Sequence, residues 1–213
     1  MDRVELHGRL AGTPVCTHTC AGERIYEVEL IVPRDSGTED RIMLALGEYT
    51  LARRLDVMLP GTAARVIGEI RYYRHPVEDG YRGKVMVFAR ELHLDMVLIG
   101  TNRVELTGTV MGHVHYRTTP FGRQISDMRL RVERGYGHVE VVPMIAWGRL
   151  AQMASVLEAG ENIWCTGRLQ SREYIKQTDK GEETRITYEV SVSAIKTDNA
   201  AEPMTEEELR IYG

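Results

Sequence analysis

Only one cluster in this 213-residue sequence has the residue types of a metal clamp: Cys16-Thr17-His18-Thr19-Cys20, with His113-Val114-His115 near the equivalent place about a hundred residues later. Zinc needs four converging ligands, and two cysteines separated by three residues, one of them a histidine, supply these awkwardly. The segment therefore reads as a loop between two strands, and no metal is expected. The sequence contains no G-x-x-x-x-G-K-[ST] loop, no H-E-x-x-H and no G-x-S-x-G, so no catalytic constellation and no cofactor are expected. What remains is binding chemistry. Arg71-Tyr72-Tyr73-Arg74 interleaves cations with aromatic rings, a pattern that suits a single nucleic-acid strand, whose bases stack and whose phosphates need counter-charge. Arg129 and Arg131 alternate with Met128, Leu130 and Val132, so in a strand both arginines point away from the core.

The elements that position these residues follow from an internal repeat. Arg3-Val4-Glu5-Leu6-His7-Gly8 returns as Arg103-Val104-Glu105-Leu106-Thr107-Gly108. The offset of 100 persists from Gly22 and Gly122 through Ile25 and Ile125, Leu30 and Leu130, to Arg34 and Arg134. Beyond that it is read as slipping, with Leu46-Gly47 against Trp147-Gly148 and Pro60-Gly61 against Ala159-Gly160. The chain divides on this reading into residues 1–98, residues 101–198 and a tail, 199–213.

Period-two alternation in Val104, Leu106 and Val110, in Met128, Leu130 and Val132, and in Ile163, Cys165 and Leu169 predicts half-buried strands. Leu150, Met153, Ala154 and Leu157 recur at helical spacing before Gly160, and Leu51, Leu55 and Met58 do so before Pro60-Gly61. Strand, strand, strand, helix, strand, strand is the plan of the OB-fold, a five-stranded Greek-key barrel that holds oligonucleotides on one face. The expected architecture is all-β: two tandem OB-folds, each with a helix between strands 3 and 4.

Asn102 to Gly108, then Met144-Ile145-Ala146-Trp147-Gly148-Arg149-Leu150-Ala151, Gly160, and Gly167-Arg168-Leu169-Gln170-Ser171-Arg172-Glu173-Tyr174 resemble the bacterial single-stranded-DNA-binding protein family. The first repeat resembles it only through its likeness to the second. The resemblance implies stacking aromatics at Trp147, Tyr174 and Tyr136, with Arg129, Arg131, Arg168 and Arg172 as candidate phosphate contacts. Trp147 also sits in a run apolar enough for core, Tyr136 lies between Gly135 and Gly137 as a turn residue would, and the arginines also read as solvated. Trp164 reads as an oligomer contact and Cys165 as a small core residue. In the first repeat Leu46 aligns with Trp147 and His75 with Tyr174, while Tyr72 and Tyr73 are the substitutes, and Asp35, Glu39 and Asp40 place acids where a binding face wants cations. That barrel is expected to bind weakly or to serve assembly.

The family usually ends in a flexible acidic tail that recruits replication and repair enzymes. Here the acids are present without the usual tip, and Thr205 with Glu208 fits a capping box for a short terminal helix. The missing tip also resembles the primosomal replication protein N branch. The resemblance implies non-catalytic, largely sequence-independent binding of single-stranded DNA, with RNA left open, in replication, recombination or repair, by homodimers that bring four barrels together. The alternative is an OB-fold interaction adaptor with little nucleic-acid affinity.

Composition bears on that choice. The sequence holds 27 Lys+Arg against 31 Asp+Glu, a net charge of −4. Residues 1–100 carry 13 cations and 15 acids, residues 101–198 carry 13 and 12, and the tail carries 1 and 4. The acidity belongs to the first repeat and the tail, so it does not exclude a polyanionic partner for the second. Three cysteines make no disulfide framework. The start MDRVELHGRL lacks a secretory apolar run, and no stretch approaches the roughly 20 apolar residues of a membrane helix. A cytoplasmic protein with no membrane partner is expected.

Overall fold

The computed structural model describes residues 2–51, 54–77, 80–94, 97, 99–178, 181–197 and 204–205. Within these, the side chains of 74–77, 80–82, 136, 173, 174, 176, 178, 183, 185, 204 and 205 lie outside the description. The fold is all-β, two tandem OB-folds. The first repeat gives β1 (Asp2–Leu10), β2 (Val15–Cys20), β3 (Glu23–Pro33), β4 (Glu39–Gly47), a one-turn helix α1 (Glu48–Leu51), β5 (Ala63–Val77) and β6 (Gly80–Leu94). The second gives β7 (Asn102–Val110), β8 (His115–Thr118), β9 (Gln124–Glu133), β10 (Val139–Trp147), α2 (Gly148–Ala154), β11 (Asn162–Thr178) and β12 (Gly181–Thr197).

Each repeat closes in the same way. In the first, β1 pairs antiparallel with β3 and β5, β3 with β4, and β5 with β6, while β4 and β6 run parallel. In the second, β7 pairs with β9 and β11, β9 with β10, and β10 runs parallel to β12, which neighbours β11. This is the Greek-key closure of an OB barrel. Alternation fills each interior. Leu6, Leu30, Ile42, Leu44 and Leu46 are fully buried in one barrel, and Val104, Leu106, Val132 and Ala146 in the other. Burying a side chain of this size contributes about 1.5–3 kcal/mol.

Gly8 and Gly108 recur because the strands cross closely there. A Cβ on Gly8 would lie 2.4 Å from the Ile31 carbonyl oxygen, and one on Gly108 would lie 2.4 Å from that of Arg131. A buried acid recurs too. Arg34 Nε donates to Asp40 Oδ2 at 2.8 Å, and Arg134 pairs with Glu140 at 2.7 Å. Asp40 is thus a structural anchor for the β3–β4 turn with no exposure, not an acid on the binding face. Glu39 is likewise held by Arg9.

Several expectations are corrected. Cys16 to Cys20 form strand β2, not a loop, because their backbone pairs with β3 from Val15↔Glu27 to Cys20↔Glu23. Among the described residues no His, Cys, Asp or Glu cluster could hold a metal. Where one helix is expected around Leu51, Leu55 and Met58, the described residues hold α1 (Glu48–Leu51) and a 3-10 turn at Leu55–Val57. The second helix stops at Ala154, short of Leu157. Met204 and Thr205 form β13 (Met204–Thr205), paired to Ala194 and Ile195 of β12, and the helix that Thr205 is expected to cap lies outside the described residues. Glu208 lies outside the described residues.

The chain divides into two compact units. One comprises Met1–Asp2, Arg103–Leu169 and Glu189–Gly213, the other Arg3–Asn102 and Gln170–Tyr188. The exchange arises from strand length: β11 has 17 residues but pairs with β7 only from Asn162 to Gly167. In the unit holding its outer half, the Arg41 N–H donates to Ser171 Oγ at 3.3 Å. No helix among the described residues is long and apolar enough to cross a membrane.

Candidate nucleic-acid interface

The outer face of β9 and β10 is set by strand parity. Met128, Leu130 and Val132 fill the interior from β9, as Val142, Met144 and Ala146 do from β10. The residues between them must then face outward. The pairing gives their rungs: Ile125 opposite Trp147, Asp127 opposite Ile145, Arg129 opposite Pro143, and Arg131 opposite Val141. Ile125 and Ile145 are nevertheless buried, at 2% and 5% exposure, so the accessible positions of this face are Val141, Pro143 and Trp147 on β10 and Asp127, Arg129 and Arg131 on β9.

Trp147 is half-buried on this outer face, not in the core. It is the last residue of β10 and flanks α2 in extended conformation, φ −122° and ψ 149°. Gly148 follows at φ +56°, a left-handed turn that lets the chain leave the sheet immediately. The helix is docked by the buried Ser126 hydroxyl, which donates to the Ala151 carbonyl at 2.7 Å, and Gln152 donates to Gln124 at 2.7 Å. The backbone of Trp147 is therefore held on both sides.

Among the arginines, Arg129 is exposed and, among the described residues, has no carboxylate partner. Arg131 is half-buried and its guanidinium meets Glu133 at 2.6 Å, which neutralises part of its charge. Arg168 and Arg172 are exposed on β11. Tyr136 occupies the 3-10 turn Gly135–Gly137, closed by the Arg134 N–H donating to the His138 carbonyl at 2.8 Å. Tyr174 lies within β11, which continues through Thr178, and not at the start of a loop. The side chains of Tyr136 and Tyr174 lie outside the described residues. Trp164 is half-buried opposite Thr107. Cys165 is fully buried, and burial pushes its thiol up to about 12.

The predicted residues do not all share one unit. Trp147, Arg129, Arg131 and Arg168 lie in one, while Arg172, Tyr174, Tyr72 and Tyr73 lie in the other. Tyr72 is 41% exposed. Its ring lies over Gly83, where a Cβ would come within 1.8 Å of the hydroxyl oxygen. Tyr73 is half-buried, packs against Ile25, Ala45 and Met86, and meets His18 edge-on at 6.4 Å. His75 has its side chain outside the described residues.

The corresponding face of the first repeat shows what sequence alignment misplaced. Gly47 pairs with Ile25 and Leu46 with Tyr26. The equivalent of Trp147 is therefore Gly47, not Leu46, which is fully buried as Ala146 is. A Cβ on Gly47 would meet the Glu23 carboxylate at 2.3 Å, so an acid covers the position where the second repeat has an indole. The next outer rungs are Glu27 opposite Ala45, Glu29 opposite Met43 and Ile31 opposite Arg41. Where the second repeat has Arg129, the first has Glu29. Its cations are consumed internally, with Lys84 at 2.9 Å from Glu27, Arg41 at 2.6 Å from Glu29, and Arg90 at 3.1 Å from Glu69. Arg90 also lies 4.9 Å from the Phe88 ring centroid. The signal for this contrast was present at the unbroken offset of 100, which carries Gly47 onto Trp147 and Glu29 onto Arg129.

Residues 101–198 match the model of the Single-strand binding protein family. No curated protein matches the chain. Among solved structures, the wild-type single-stranded DNA binding protein from Thermus aquaticus superposes with a TM-score of 0.76 at 21% identity, over 96% of this chain and 96% of that one. A deletion mutant of the Thermus aquaticus protein gives 0.75 at 22%, over 95% and 97%. At these identities the likeness is one of fold.

Proposed function

We propose that this chain, whose residues 101–198 match the Single-strand binding protein family, binds single-stranded DNA without catalysis and largely without reading sequence, and does so mainly through its second barrel. The observation that carries this reading is the outer face of β9 and β10, where the accessible Trp147 and Pro143 lie beside the exposed Arg129, which has no carboxylate partner among the described residues. Bases have apolar faces and a phosphate follows every one. An accessible indole beside a free guanidinium meets both needs, and each base–aromatic stack contributes about 1–3 kcal/mol.

In this reading a base stacks on Trp147 while Arg129 tracks the backbone. Arg131 and Arg168 add phosphate contacts and Tyr136 a further ring, while Arg172, Tyr174, Tyr72 and Tyr73 belong to the other compact unit and serve as its own, weaker contacts. No bond is made or broken. The first barrel contributes little, because Gly47 offers no face and the Glu23 carboxylate beside it repels phosphate. Two chains would bring four barrels together as a homodimer, and the cellular setting would be replication, recombination or repair.

The test is a fluorescence titration with oligo-dT at low salt, followed by a salt series. Tryptophan quenching, with affinity falling linearly in log salt, is the expected result. Unquenched emission with no mobility shift at low salt overturns the reading.

A further inference from the structure

The turn between β8 and β9 presents a feature that the platform on β9 and β10 does not account for. Phe121 is 91% exposed, although a phenyl ring left in water forgoes the burial that favours apolar groups. Its presentation is rigid. The Thr119 N–H donates to the Arg123 carbonyl at 2.8 Å, the Gly122 N–H to the Thr119 carbonyl at 2.9 Å, and the Arg123 N–H to Thr119 Oγ1 at 3.0 Å. Pro120 fixes a further backbone angle, and Gly122 takes φ +77°. A backbone held this firmly leaves only the two side-chain torsions of Phe121 to be ordered on meeting a flat partner.

The turn continues the proposed platform. Arg117 pairs with Ile125, and Ile125 with Trp147, so the three share one rung across β8, β9 and β10. One further rung, Thr118 opposite Gln124, leads to the turn that holds Phe121 and Arg123. The segment from Met111 to Ser126 contains Arg117 and Arg123 and no acid. Arg117 pairs with Asp127 at 2.8 Å, whereas Arg123 is exposed and has no carboxylate partner among the described residues. The first repeat again differs: at the same offset Ala21 stands for Phe121 and Glu23 for Arg123.

We infer that the β8–β9 turn is a second stacking station, on which a base beyond the one at Trp147 lies against Phe121 while Arg123 takes a phosphate. The inference rests on the proposed function and extends the footprint of the strand past the end of β10. An exposed ring flanked by cations on an acid-free turn suits a polyanion with flat apolar faces. It does not suit an acid-poor apolar protein partner, which would leave Arg123 without counter-charge.

Affinity for labelled oligo-dT of about four and about sixteen nucleotides, the two ends of the range for one OB-fold site, tests this with Phe121→Ala, Arg123→Gln and Trp147→Ala. Trp147→Ala should weaken both lengths. Phe121→Ala should weaken only the longer, by roughly fivefold to a hundredfold, and Arg123→Gln should weaken it less. A bromouracil-substituted oligonucleotide should photocross-link to the wild-type peptide that contains Phe121. If the wild type binds and Trp147→Ala weakens it, but Phe121→Ala behaves as wild type at both lengths and no cross-link reaches that peptide, this inference falls and the proposed function stands. If the wild type binds neither length, the function falls and the inference with it.

Discussion

Trp147 stands directly across the β9–β10 ladder from Ile125, at the last rung before the chain turns into α2. The same rung in the first barrel is Gly47 across from Ile25. One position therefore separates a barrel with an aromatic platform from one without, and the neighbouring Glu23 adds a carboxylate to the difference.

Removing the indole should cost binding and leave the fold intact. Trp147→Ala is expected to lower affinity for oligo-dT by roughly 1–3 kcal/mol, measured by anisotropy, with an unchanged melting temperature. Leu46 is no control for it, since Leu46→Ala opens a cavity in the other barrel and costs about 2–5 kcal/mol of stability. The informative variant is Gly47→Trp with Glu23→Gln. It supplies the missing face and removes the acid, and should add binding to a chain that carries Trp147→Ala. Equal affinity with and without the pair of changes would count against the platform argument.

The salt dependence should divide the arginines. For single strands each phosphate contact contributes about 0.7 to the slope of log K against log salt. Arg129→Gln should lower that slope by about 0.7, whereas Arg131→Gln should lower it less, because Glu133 already neutralises part of that charge. Equal slopes in wild type and Arg129→Gln would remove Arg129 from the interface.

Thiol reactivity should report the core. Cys16 and Cys20 are exposed on β2, while Cys165 is buried with its thiol pushed up to about 12. A disulfide reagent at pH 8 should titrate two thiols quickly in the native protein and the third only in denaturant. Three fast thiols would place Cys165 outside the core.

His7 gives the first barrel a pH dependence. It is 3% exposed, its Nδ1 accepts the Ile99 N–H at 3.2 Å, and its own N–H donates to the Thr101 carbonyl at 2.7 Å. Burial and then the Arg65 cation hold its pKa below 6.5, against the opposing pull of Glu5. The unfolded chain therefore takes up the proton first. The stabilisation from neutral His7 is complete above about pH 6.5 and is lost as pH falls through the lowered value. Melting temperature should drop between pH 7 and 5 in the wild type and drop less in His7→Gln. Parallel curves would show that His7 does not set the dependence.

The repeat, the strand alternation and the outward direction of Arg129 and Arg131 were legible because they depend on periodicity along the chain, which a sequence displays directly. The alignment of Leu46 with Trp147 was not a small error, since a one-residue slip exchanges the two faces of a strand. Only the pairing of Gly47 with Ile25 shows which residue faces outward. The β2 strand was missed for a similar reason. Cys16 to Cys20 have exposed side chains on every residue, so no alternation marks them, and their order comes from backbone bonds to β3.

The sequence by itself determined two barrels, their interiors and the outward direction of Arg129 and Arg131, because hydrophobic burial selects alternating residues wherever they occur. Tertiary structure decided which charges are free to act. Glu29 and Arg41, or Asp40 and Arg34, are far apart in sequence patterning and cancel only where the sheet and the turn bring them within 3 Å. Arg129 escapes that cancellation because its opposite number across the ladder is Pro143, which carries no charge.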